Sequence, residues 1–301
     1  MLQAGDRIRH KRLPEWGLGQ VVETRPGYAT IFFVGVGRKQ FRADSPDLTR
    51  AEAEASHPLL DNLSAGPAKG GRFLTPEQAS AKFLEKYPKG FQDPDYLSGE
   101  REPKVKSHLL AAELLDEAEL TALAEAGKFD EIAERARKVV AATQLVFPAE
   151  RSGFTAAMQD ADNRAVFGPA LIGLLYGEGT YQPRFEAFCA ALKSMGLAKW
   201  TLATYFAFLR FPDAHVLVKP TVSQAAAQVC GFDLKYHVDP NWTTYEAARR
   251  LAEYLRESLA ELKPRDLFDV QLFLWSVARR DPKPAAARAK QAVSSDDDGE
   301  D

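Results

Sequence analysis

Residues 192–232 read LKSMGLAKWTLATYFAFLRFPDAHVLVKPTVSQAAAQVCGF. The order is a short helix, a turn at Gly196, an aromatic-rich helix over 198–211, a Pro-Asp break, a β-branched run and an Ala-rich helix opening after Pro220. Trp200, Thr204, Phe208 and Phe211 fall at helical spacing, the pattern of a stripe that packs a core. A helix, a tight turn and a second helix can also point backbone N–H groups at a phosphate, with the second helix dipole favouring the negative charge. Double-stranded DNA is therefore a partner to test, with Lys193, Gly196, Lys199 and Lys219 as its contacts.

On both sides of this segment the periodicity is helical. Thr75 as N-cap, Pro76 at the first helical position and Glu77 after it predict a helix over 76–87. Leu109, Leu110, Leu114, Leu115 and Leu120 mark one apolar face; Phe129, Ile132, Ala136, Val139 and Val140 mark the next, with Gly127 between them. Glu113, Asp116, Glu117, Glu119, Glu125 and Glu131 on the far faces read as solvated surface. Phe147-Pro148 ends that block, and helices follow within 154–176 and over 184–193, 245–260 and 264–278. Residues 51–73 turn to Ala, Ser, Gly and Pro and read as a flexible linker into an all-helical domain over 74–280. Residues 281–301 run into an acidic block with no apolar face and read as a disordered tail.

Residues 1–50 have a different grammar: short β-branched or aromatic runs separated by Gly, Pro and charged turns, the spacing of a small barrel. Gly5, Asp6, Arg7, His10, Pro14, Glu15, Trp16, Gly17, Gly19 and Val21 carry a resemblance to the SH3- or Tudor-like barrel at the C-terminal end of UvrD and PcrA helicases, and to CarD-type domains. That resemblance implies binding of RNA polymerase, by pairing along a strand edge that needs little from side-chain identity. The contacts it suggests are Arg7, Arg9, Lys11, Arg12, Trp16, Arg38, Lys39 and Arg42, in a stretch with nine Lys or Arg against five Asp or Glu. Trp16 serves equally as a core side chain.

MGLAKWTLATYFAFLR and the loop Val218-Lys219-Pro220-Thr221-Val222-Ser223 resemble the hairpin and catalytic loop of helix-hairpin-helix DNA glycosylases. Two departures stand out: Ser194 replaces the first Gly, and Lys219 occupies the position of the family's catalytic carboxylate. An ammonium there opposes the positive charge that develops at the sugar, so the resemblance implies backbone binding without base excision. Lys199 as an amine nucleophile and Asp213 as a substitute acid are the remaining catalytic candidates beside Lys219, and both are displaced from the family's positions.

Composition bounds the rest. A net charge of -3 in 301 residues argues against a protein that coats DNA and confines any such contact to a local patch. Cys189 and Cys230 read as reduced, buried side chains; His10, His57, His108, His215 and His237 lack ligand spacing, so neither metal nor cofactor is expected. There is no phosphate-loop motif, no leader-like apolar run and no membrane span, which suggests a cytoplasmic protein. The expected fold is α+β and multidomain: a small SH3- or Tudor-like barrel, then a mostly α-helical domain with a helix-hairpin-helix-like segment. The expected function is a non-enzymatic bacterial adaptor binding RNA polymerase or another protein of nucleic-acid metabolism, with DNA repair or damage recognition as the alternative.

Overall fold

The computed structural model describes residues 2–51, 56–64 and 73–278. Five strands, β1 (Arg7–His10), β2 (Gly19–Arg25), β3 (Tyr28–Phe33), β4 (Gly37–Arg42) and β5 (Leu48–Arg50), form one antiparallel sheet in the order β4-β3-β2-β1-β5. Alternation along the strands gives the sheet two apolar faces. Ile8, Val21, Ala29, Ile31 and Phe33 make a small core closed by Trp16, Phe41 and Leu48. Phe32, Leu18 and Val22 turn the other way; a bulge between Val21 and Glu23 lets Val22 leave the ladder.

Eleven helices of nine residues or more follow among the described residues. They are α1 (Pro76–Lys86), α2 (Glu102–Leu114), α3 (Glu117–Glu125), α4 (Phe129–Ala141), α5 (Pro148–Ala157) and α6 (Ala161–Tyr176), then α7 (Tyr181–Ser194), α8 (Trp200–Arg210), α9 (Pro220–Val229), α10 (Trp242–Ser258) and α11 (Leu267–Ala278). Thr75 caps α1 in a reciprocal box with Gln78, as the Thr-Pro start predicts. Every residue from Trp200 to Leu209 is buried, so α8 is the axis around which the others pack. The stripe of Trp200, Thr204 and Phe208 is core, and Phe211 packs against it.

The sheet is not a separate unit. Leu18 and Phe32 belong to the same buried cluster as the helices. Phe73 meets Phe32 edge-on at 4.9 Å, and the backbone of Gly231, at φ +69°, passes so close that a Cβ there would sit 3.1 Å from the Phe32 ring. The flexible-linker reading also changes. In residues 56–64, Leu59 and Leu60 are buried, Leu63 bridges to Phe232, Ser64 N–H donates to Gly231 O and Asp233 N–H to Asn62 O. Apolar side chains spaced through an Ala/Pro-rich sequence were enough to anchor it. Residues 52–55 and 65–72 of that stretch, and the 281–301 tail, lie outside the described residues.

Candidate functional site

Two prolines set the geometry of the most polar cleft. Pro148 opens α5 and Pro220 opens α9, and the residue before a proline is held extended, here Phe147 (φ −62°, ψ 146°) and Lys219 (φ −106°, ψ 107°). Val218 N–H donates to Thr204 Oγ1 at 3.0 Å and Lys219 N–H to Ser223 Oγ at 3.1 Å, which fixes the loop against α8. The Lys219 ammonium then lies 4.7 Å from the centre of the Phe147 ring and 5.4 Å from that of Trp275 on α11.

Lys219 lines a cleft of about 770 Å3 together with Glu100, Lys104, Thr143, Arg151 and Trp275. Glu100 is shared by Lys104 at 3.3 Å and Lys86 at 3.8 Å. Arg151, half-buried, makes no side-chain hydrogen bond or ion pair with any described residue, and no described carboxylate comes within ion-pair distance of Lys219. Glu150 lies nearby, with Oε2 buried and unbonded. Burial pushes its carboxyl above the ordinary value, against the Thr201 hydroxyl, the Phe147 N–H and the charges of Lys199 and Lys219. Burial likewise pulls the Lys219 ammonium down, Glu150 holds it up and Lys104 lowers it further. Half-buried cations with no carboxylate in direct contact suit an anion: a guanidinium fork and a compact ammonium both gain from a phosphate or carboxylate.

The structure sorts the sequence candidates. The charges of Lys199 and Lys219 both act on the Glu150 carboxyl. Lys193 faces Asp239 at 3.8 Å instead, and Arg210 donates to the Tyr176 hydroxyl at the far end of α8. Asp213 is exposed, its carbonyl facing Arg256. Gly196 does not present amides to a ligand. At φ +70° it ends α7 in a Schellman motif, where its own N–H donates to Lys193 O and that of Leu197 to Leu192 O, so both amides are occupied.

The basic set on the sheet is largely committed within the chain. Arg7 pairs with Asp61 and Gln20, and Arg38 donates to Ser64 O at 2.7 Å; both hold the sheet to the 56–64 segment. Arg12 pairs with Asp47, Arg42 with Asp44, and Lys11 donates to Pro46 O. Trp16 packs on His10, Phe33 and Phe41, with Lys39 over its ring at 5.6 Å. Arg9 and Lys39 are exposed without a hydrogen bond or ion pair to described residues, and of the two only Lys39 has a ring contact. Among the described residues the outer strand β4 pairs only with β3: Ala43 N–H donates to Gly27 O, so by alternation the backbone groups of Arg38 and Gln40 point away from β3.

Lys104, Glu150 and Arg151 escaped the sequence reading because they lie 68 or more positions from Lys219. One local signal was available. A cation at a helix N-terminus opposes the dipole, and both Arg151 in the first turn of α5 and Lys219 at the N-cap of α9 do so. Among the described residues no group of three His, Cys, Asp or Glu could hold a metal, and no helix is long and apolar enough to cross a membrane. Residues 2–50, the strands and their turns, match a family described as a protein of unknown function, DUF3553. No curated protein and no solved structure matches the chain.

Proposed function

We propose that the chain is a non-enzymatic adaptor, in which the helical region contacts DNA through the Lys219 cleft and the sheet engages a protein, RNA polymerase or another protein of nucleic-acid metabolism. The observation that carries this reading is the pair of half-buried cations, Arg151 and Lys219, neither of which has a carboxylate at ion-pair distance among the described residues. A charge kept desolvated and unpaired is costly, and a phosphate offsets that cost. The protein arm is supported by β4, whose outward backbone groups suit strand addition, and separately by Arg9, exposed on β1 toward the other end of the sheet, as a charged contact.

The test is salt-dependent binding of a closed hairpin duplex, read by fluorescence anisotropy. The R151E/K219E double variant is expected to lose affinity and to flatten the slope of log K against log salt by about one per phosphate contact removed. Equal affinity and slope in variant and wild type would remove the DNA arm. Capture of purified RNA polymerase by wild type, weakened by R9E, supports the protein arm; no capture removes polymerase as its partner.

A DNA repair reading is favoured by one feature, a half-buried Glu150 carboxyl that feels the charges of the Lys199 and Lys219 amines, the materials of acid–base or Schiff-base chemistry. Product formed on abasic duplex and lost in K199A or K219A would establish it.

A further inference from the structure

The charge and depth of the Lys219 cleft narrow the kind of phosphate it suits. Its charged lining is three cations, Lys104, Arg151 and Lys219, against one carboxylate, Glu100, which Lys86 also neutralises. A backbone phosphodiester brings a single charge and is blocked on two sides by its sugars. A terminal phosphate carries about −1.5 to −2 near neutral pH and presents three free oxygens. Arg151 and Lys219 are half-buried, so the anion must enter the cleft rather than pass across its mouth. The cleft volume, about 770 Å3, also falls in the range of small-ligand sites, with Trp275 as a ring wall.

We propose that the cleft formed by Lys104, Arg151, Lys219 and Trp275 is a phosphomonoester site, with Arg151 and Lys219 as the oxygen ligands. This rests on the cleft being an anion site, and it deepens the DNA reading by placing a strand end or a free nucleotide there instead of a continuous backbone. Arg151 supplies a bidentate fork and Lys219 a point charge, a combination that three terminal oxygens can satisfy together.

The full chain is titrated with a short duplex carrying 5′-phosphates and the same duplex with 5′-hydroxyls, and separately with AMP and inorganic phosphate. Phosphorylated ends are expected to bind about tenfold tighter, the worth of one charge-assisted hydrogen bond. R151Q and K219Q should each erase that difference while R151K keeps part of it, and inorganic phosphate should displace the phosphorylated duplex. Thermal melting confirms that each variant folds; for a variant that does not, phosphate competition on the wild type decides. Binding of AMP and phosphate with neither duplex bound supports the site, assigns it to free nucleotides and removes the DNA arm. Equal binding of both duplexes without phosphate competition overturns the monoester site and leaves the DNA arm intact. If none of the four binds, both fall.

Discussion

His215 is held inside the helical region with its ring 4.1 Å from that of Tyr181 and its Nδ1 2.7 Å from the Tyr245 hydroxyl. Burial, with the nearby Arg184 and Arg249 charges adding to it, lowers its pKa from 6.5 to about 4. Above pH 6.5 the ring is neutral whether folded or unfolded and costs nothing. Between 6.5 and about 4 the unfolded chain takes up a proton that the native one refuses, so stability falls as pH falls, by at most roughly 3 kcal/mol. H215F is expected to flatten that acid slope in urea midpoints measured from pH 7 to 4; His57, also lowered by burial, leaves a residue of it. An unchanged slope would assign the acid sensitivity elsewhere. Of the two cysteines expected to be buried, Cys230 is and Cys189 is partly so; burial pushes both thiols up to about 12 and leaves little thiolate.

Between elements, the strongest polar link ties the segment before α2 to α11. Asp269, fully buried, accepts from the Tyr96 hydroxyl at 2.6 Å, from Arg101 at 2.8 Å and from Arg265 at 2.8 Å, while Asp266 takes the other edge of Arg101 at 2.6 Å. Burial alone would raise the Asp269 carboxyl; the hydrogen bonds from Arg265 and Tyr96 and the charge of Arg101 hold it below its ordinary value instead. D269N leaves two guanidinium groups facing an uncharged amide. The expected loss is about 3–5 kcal/mol, the usual cost of removing one partner from a buried ion pair, read by equilibrium denaturation. A loss under about 1 kcal/mol would mean that water already screens the site. No sequence pattern announces this link, because its members lie at 96, 101, 265 and 269 and meet only when α11 packs home.

At the scale of the molecule, sheet and helices share one core through Phe32, and the 56–64 segment is the seam between them. F32A is expected to cost about 3–5 kcal/mol, with faster hydrogen exchange in β3 and in the helical partners of the seam. Exchange that quickens in β3 alone would show two independently stable units. The same seam explains why much of the basic set on the sheet is unavailable to a partner: Arg7 and Arg38 hold it shut. What the sequence determined by itself is local. Proline and threonine starts, glycine ends and the two periodicities, set by backbone sterics and short-range hydrogen bonds, marked most helices and the strand-rich character of residues 1–50, though not the short β5. Tertiary structure alone decided which charges remain unpaired. Arg151 and Lys219 become a site, and Arg7 a seam, only through neighbours 54 or more residues away, and such desolvation and pairing have no signature in a linear chain.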